Sequence, residues 1–272
     1  MHMIYEMRYS YFGRSGWQSE ASNDAAKLFD DARLDGRHYF LEKIALRSLA
    51  DQSDGDFGLI VLSAEALPER HKSRLQQVCG DMLGDRAHVI FRGPDSAGTC
   101  FTRYRKATFN RDPWSTQIVL DDDDAVSADF TEKLRAEAMA AKKLRAPGEE
   151  YCFLSHARGI SAVFRDGQIS LRHRLNAATN LGLAVTAPTG SRRQPFGIAH
   201  KKILERRPVR EGVRGVGQHQ RGVAELLEQL PESRRPDADD GDFPGDALAH
   251  FPSPRMRTPG PAFSQAAGQN FQ

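Results

Sequence analysis

Three cysteines are all that the 272 residues contain, at Cys79, Cys100 and Cys152, and no two stand as a C-x-x-C pair. Neither a disulfide framework nor a zinc knuckle is supported, and a reducing cytoplasm fits. Charge of one sign is also missing. The 38 Lys and Arg residues face 36 Asp and Glu, for a formal net charge of +2, so wholesale attraction to nucleic acid or a membrane surface is not implied. No apolar run approaches the length of a membrane span, and the opening MHMIYEMRYSYFG lacks the charged-then-apolar pattern of a signal peptide. No G-x-G-x-x-G follows the first expected strand, which argues against a dinucleotide-binding enzyme. No G-x-x-x-x-G-K-[ST] is present either, which disfavours a P-loop nucleotidase. Internal repeats are absent. What remains is a chain long enough for one large or two small domains, with 39% hydrophobic residues to build a core.

Its most informative stretch is Gln117 to Phe130, QIVLDDDDAVSADF. The apolar run Gln117 to Leu120 reads as a buried strand. Four carboxylates, Asp121 to Asp124, then stand where that strand leaves a sheet, and in open α/β sheets ligands bind at this edge. Adjacent like charges repel, so the block needs a positive partner. Mg²⁺ or Mn²⁺ supplies one, because both prefer oxygen ligands. In an extended segment alternate residues share a face. Asp121 and Asp123 are thus expected on one side, with Asp122 and Asp124 on the other. The plainer alternative is a solvated acidic turn beside a helix N-terminus.

Taken in order, Met3 to Phe12 reads as a first strand, followed by a loop to Asn23 that holds Arg14, Trp17 and Gln18. Tyr39 to Gln52 has helical spacing, Asp56 to Leu62 is a second strand, and Pro68 opens a helix through Leu83. Ala87 to Phe91 is a third strand. Phe101 to Asn110 is read as a helix carrying Arg103, Arg105 and Lys106. After the acids, Ser127 to Arg145 reads as a helix capped by Ser127. Glu150 to His156 is a further strand, and Gly159 to Leu171 a hairpin about Asp166-Gly167. Leu183 to Val185 is a brief apolar piece, and Pro188 to Gln194 a basic loop. This alternation predicts α/β architecture, with a mainly parallel, twisted sheet flanked by helices. Composition changes near Arg206. Residues 1–205 are expected to form the working domain. Residues 206–272 are an Arg/Gly/Pro-rich, low-complexity tail, expected to be disordered or translated out of frame.

Several pieces together resemble a known family. They are Arg8-Tyr9-Ser10-Tyr11 with Gly16-Trp17, Leu28-Phe29-Asp30 with Arg33-Leu34, Phe40 through Gln52, Asp56-Phe57 and Val61-Leu62. To these are added Leu120 through Ala125 with Asp129-Phe130, and Gly182 to Val185 through Ala199-His200-Lys201-Lys202-Ile203. From Met3 to Ile203 the chain resembles the bacterial putative rhamnosyltransferase family, related to glycosyltransferases of the GT-A fold. The resemblance implies a GT-A-like domain that transfers a deoxyhexose such as L-rhamnose from a nucleotide sugar to a glycan or lipid-linked acceptor in the cytoplasm. No nucleic acid and no transmembrane segment are implied.

On this reading Asp121 and Asp123 are the first choice for metal ligands, with Asp122 and Asp124 as alternates, and His200 is a candidate further ligand. One of the remaining acids is a candidate for sugar or ribose hydroxyls. Arg8, Arg103 and Arg105 are candidate phosphate contacts, because guanidinium matches phosphate oxygens. An inverting reaction needs a carboxylate base; Glu149, Glu150 and Asp166 are available and none is singled out. Two other classes compete: a metal-dependent phosphatase or nuclease, and a non-catalytic nucleotide- or carbohydrate-binding remnant.

Overall fold

Met3, Tyr5, Met7 and Tyr9 are all buried in one hydrophobic cluster, and Ile4 in another. A strand puts successive side chains on opposite faces, so strand β1 (His2–Tyr9) must be covered on both sides, and it lies inside the sheet. In this computed structural model the described residues are 1–14, 24–144, 150–165, 168–176, 179–197, 209–211 and 220–223. The readings made of Trp17, Gln18, Glu149, Asp166-Gly167 and His200 fall outside them.

After β1 come α1 (Ala25–Leu28), α2 (Asp31–Phe40), a π-turn segment (Leu41–Leu46) and α3 (Arg47–Ala50). Then follow β2 (Gly58–Ala64), α4 (Glu69–Leu83), β3 (Ala87–Arg92), α5 (Ala97–Thr108) and β4 (Trp114–Val119). Beyond these lie β5 (Asp124–Ala125), α6 (Phe130–Lys143), β6 (Cys152–Ser155), β7 (Arg158–Arg165), β8 (Gln168–Leu175) and β9 (Ala184–Pro188). Two short strands complete the set, β10 (Val209–Glu211) and β11 (Gln220–Val223). The main sheet has seven strands in the order β10-β6-β9-β4-β1-β2-β3. Neighbours are parallel except β9, which runs antiparallel to both β4 and β6. A smaller sheet runs β5-β11-β7-β8. Among the described residues no helix is long and apolar enough to cross a membrane.

Helices cover both faces. Leu34, Leu41, Leu46 and Leu49 from the first helical stretch join Leu75 and Cys79 of α4 and Leu134 and Ala138 of α6 in one core. Each such leucine contributes about 1.5–3 kcal/mol by leaving water. The opposite face is covered by α5, whose Cys100 and Phe101 pack on Ile4, Ile60 and Leu62. The chain winds from β1 outward through β2 and β3, then returns through α5 to β4 on the other side of β1. Strand order therefore reverses between β1 and β4, and at such a switch point the carboxyl ends of the strands open a crevice for ligands.

Some boundaries differ from the sequence reading for identifiable reasons. The first long helix starts at Asp31 and not at Tyr39, because the Asp30 carboxylate caps it by accepting from the Arg33 N–H at 2.9 Å. Ser127 does not cap α6. Asp129 holds the N-cap position, and the Ser127 hydroxyl donates to its carboxylate at 2.8 Å.

Gly58, at the start of β2, is required by close packing. A Cβ there would stand 2.6 Å from Cε1 and Cζ of Phe109. Gly58→Ala is expected to lower stability by about 1–3 kcal/mol through this overpacking, read as a shift in the urea-unfolding midpoint with unchanged slope.

Candidate functional site

Two strand ends meet at the switch point. At the end of β1, Ser10 adopts φ +44°, a left-handed conformation uncommon outside glycine and found where a site constrains the chain. At the end of β4 the acids do not continue as an extended segment. The Asp124 N–H donates to the Asp121 carbonyl at 3.2 Å, closing a turn. The expected alternation therefore gives way. Asp122 and Asp123 face the same partner, and Asp124 enters β5, where its backbone pairs with Gly222 of β11.

That shared partner is Arg37, on α2. Its Nε donates to Asp122 Oδ2 at 3.0 Å and its Nη1 to Asp123 Oδ2 at 2.8 Å, while Nη2 contacts Asp122 Oδ1. Asp122 is 1% exposed, so the two-pronged contact is what makes a buried carboxylate tolerable here. Arg8, projecting from β1, donates to Asp121 Oδ1 at 2.8 Å, and the Asn180 amide donates to Asp121 Oδ2 at 3.3 Å. The Arg8 guanidinium also lies 5.0 Å from the ring centre of Phe196, which stacks on Phe101 at 5.1 Å. One turn before Arg37, Arg33 donates to the Leu28 carbonyl at 2.8 Å and the Ser10 hydroxyl at 3.1 Å. Burial first, then the neighbouring Arg37 charge, pushes its pKa down to about 10, which leaves it cationic at neutral pH.

Arg8, Ser10, Tyr11, Arg33, Arg37, Asp121, Asp122 and Asp123 line one pocket of about 180 Å³. Three guanidiniums thus face three carboxylates. Such a pocket suits a ligand bearing both phosphate oxygens and a bound cation.

The structure brings Arg8, Asp121, Asp122 and Asp123 together. Asp124 does not line this pocket. Arg103 and Arg105 are elsewhere, which corrects their reading as phosphate contacts. Arg103 is largely exposed beside Asp95, at 3.3 Å. Arg105 is wholly buried, with its Nε 3.9 Å from Glu6 Oε1. Their helix presents one apolar face to the sheet, Arg105 falls on that face and Arg103 does not. His156 is buried with its Nε2 3.1 Å from Glu137 Oε2, edge-on to Phe130. Arg33, Arg37, Ser10 and Asn180 were given no role by the sequence reading. The available signal was Asp30 as a cap, which would have begun the helix early enough to put Arg33 and Arg37 four apart on one face.

Both oxygens of Asp121, both of Asp122 and one of Asp123 already face a guanidinium or amide hydrogen. Among the described residues no three His, Cys, Asp or Glu side chains gather to hold a metal ion. The described residues therefore do not by themselves build an all-protein cage here. Mg²⁺, however, is usually held by one or two carboxylates together with substrate phosphates. The all-oxygen donor set of Asp121 and Asp123 fits a hard cation that enters with a diphosphate.

No curated protein matches the chain. Among solved structures, S. aureus TarS is similar over 60% of this chain and 21% of its own, with 10% identity and a TM-score of 0.32. A fragment of the same protein, TarS 1-349 in complex with UDP, is similar over 60% of this chain and 35% of its own, at 10% identity and a TM-score of 0.32. A putative nucleotide-diphospho-sugar transferase from Desulfovibrio desulfuricans G20 is similar over 77% of this chain and 78% of its own, at 14% identity and a TM-score of 0.31. The chain spans about a fifth of the length of the whole TarS chain. At these scores the likenesses carry no argument. The sequence itself carries more: the family model described as putative rhamnosyl transferase matches residues 2–218. With most of its length so matched, the chain belongs to the putative rhamnosyl transferase family.

Proposed function

We propose that this protein transfers a sugar, a deoxyhexose such as rhamnose, from a nucleotide-sugar donor to a glycan or lipid-linked acceptor in the cytoplasm, with Mn²⁺ or Mg²⁺ bound alongside the donor diphosphate. One observation carries this reading. The acidic turn Asp121 to Asp123 and three arginines line a single pocket at the carboxyl edge where the sheet order reverses. The family supports the chemistry, and its description supports the choice of sugar.

Breaking the bond between the anomeric carbon and the diphosphate builds negative charge on the leaving group. Asp121 and Asp123 are the residues proposed to hold the cation. When bound, it supplies positive charge to the departing phosphates. Arg8 sits where its guanidinium can take a phosphate oxygen while still touching Asp121. Fixed donors aimed at developing charge, in a site they need not reorganise, are the largest usual contribution to such a rate. His200 remains a proposed further ligand and lies outside the described residues.

The test is turnover of a panel of nucleotide sugars with Mn²⁺, measured as release of nucleoside diphosphate with and without a glycan acceptor. One donor is expected to be consumed, faster with acceptor present. Mn²⁺-dependent cleavage of a phosphomonoester or of nucleic acid, without consumption of any nucleotide sugar, would overturn the reading in favour of a phosphatase or nuclease. Nucleotide binding without turnover would place the chain as a binding remnant.

A further inference from the structure

Arg8 touches an acid and an aromatic ring, Asp121 at 2.8 Å and Phe196 at 5.0 Å from its ring centre. We propose that Phe196 is a positioning residue of this site: its ring holds the Arg8 guanidinium at the pocket wall, where Arg8 meets the donor phosphates while Asp121 turns to a cation. The proposal rests on the reading of the site as a nucleotide-sugar pocket.

The chain brings Phe196 there by a fixed route. Strand β9 ends at Pro188, opposite Trp114 at the amino end of β4. From there residues 189–197 run back toward the carboxyl edge, and the segment is tied down along its length. The Thr189 hydroxyl donates to the Asp112 carbonyl at 2.7 Å, and Nε2 of Gln117, buried on β4, donates to the Arg193 carbonyl at 3.2 Å. The Gln194 side chain lies on the first turn of α5, so closely that a Cβ at Gly98 would stand 2.3 Å from its Nε2. The short turn Pro195–Gly197 follows, in which the Gly197 N–H donates to the Gln194 carbonyl at 3.2 Å. Pro195 is buried, and the Phe196 ring stacks on Phe101, itself fully buried on α5, with the two planes 18° apart. The ring that Arg8 meets is therefore set by packing on both the strap and the helix.

The two contacts of Arg8 respond differently to a ligand. An aromatic face attracts a guanidinium within about 6 Å of its centre, and more strongly where the cation has left water. The Arg8 side chain is 15% exposed. Asp121 is also a proposed cation ligand, and an Asp121 engaged with a divalent cation loses its hold on Arg8, whose charge that cation repels. The Phe196 ring has no carboxylate to give up, so its hold persists in the loaded pocket. Keeping a long side chain in place before the phosphates arrive also spares the ordering cost of fixing it on binding. Leucine at this position keeps an apolar side chain but has no negative ring face.

The test is calorimetry of the full chain with inorganic pyrophosphate in the presence of Mn²⁺, beside a thermal melt of each variant. Phe196→Leu is expected to weaken pyrophosphate binding about fivefold or more, whereas Phe196→Tyr, which keeps an aromatic face, is expected to stay within about twofold of wild type. In an Arg8→Gln background, Phe196→Leu is expected to change binding by less than about twofold, because Phe196 acts through Arg8. A loss in Phe196→Tyr as large as in Phe196→Leu would overturn the proposal. So would a Phe196→Leu loss that persists undiminished in the Arg8→Gln background, which is what a role in packing alone produces. Equal binding by wild type and Phe196→Leu would overturn this inference and leave the proposed function standing. No pyrophosphate binding by the wild type would overturn both.

Discussion

Replacing Asp121 and Asp123 together by alanine is expected to slow sugar transfer by about 10³-fold or more while leaving the fold in place. The magnitude follows from mutagenesis of preorganised electrostatic groups, where loss of one donor alone costs about 10²–10³ in rate. The reason the fold should survive lies in exposure. The Asp121 and Asp123 side chains keep 29% and 27% of their surface in water. Arg8 retains its contact with the Phe196 ring, and Arg37 retains Asp122. Donor turnover measured beside a thermal melt separates the two effects. A rate within tenfold of wild type in a folded variant would remove these carboxylates from the chemistry. Asp122→Ala is a different experiment, because it strips a buried guanidinium contact and is expected to damage stability as well.

The second large effect lies away from the site. Arg105→Ala is expected to cost about 3–5 kcal/mol of stability, because it strands the Glu6 carboxylate in the interior. Both side chains are wholly buried. Glu6 Oε1 and Oε2, and Arg105 Nε, Nη1 and Nη2, have no hydrogen-bond partner among the described residues. Burial raises the Glu6 pKa from 4.5 to about 7, with the Arg105 charge pulling it back. The sign of the pH dependence follows. Between pH 4.5 and 7 the folded chain keeps a proton that the unfolded chain has released. Unfolding free energy therefore falls as pH rises through this window. The stabilising contribution is complete below pH 4.5 and lost above pH 7. Without Arg105 the Glu6 pKa rises further, so the loss in Arg105→Ala should be larger at pH 8 than at pH 5. Glu6→Leu/Arg105→Leu removes both charges and is expected to be near wild type or more stable. Urea midpoints at the two pH values test all three statements. A pH-independent cost for Arg105→Ala would contradict the assignment.

The same pair shows how far residues alone can carry a reading. The strand into the acids and the mainly parallel sheet with helices on both faces follow from local pattern. Apolar runs mark strands whatever they later pair with. What could not be read was partnership. Arg8 meets Asp121 across 113 positions and Arg37 meets Asp122 across 85, and nothing local says which of many arginines a sheet will bring to an acid. Arg103 and Arg105 were attractive because guanidinium matches phosphate oxygens. Yet Phe101 and Arg105 are four apart, and a buried Phe101 already implies that its helix face carries Arg105 inward. The acids were read as extended because a strand precedes them, whereas the turn from Asp121 to Asp124 lets one arginine neutralise two of them. An alternating arrangement would have forced each face to find its own counter-ion.

Calorimetric titration of the wild-type chain with UDP, GDP and dTDP, each with Mn²⁺ and with a chelator, tests the central claim most directly. The account predicts that one of these nucleotides binds about tenfold or more tightly with Mn²⁺ than with chelator. Binding of equal strength in both conditions, or no binding of any nucleoside diphosphate, would contradict it.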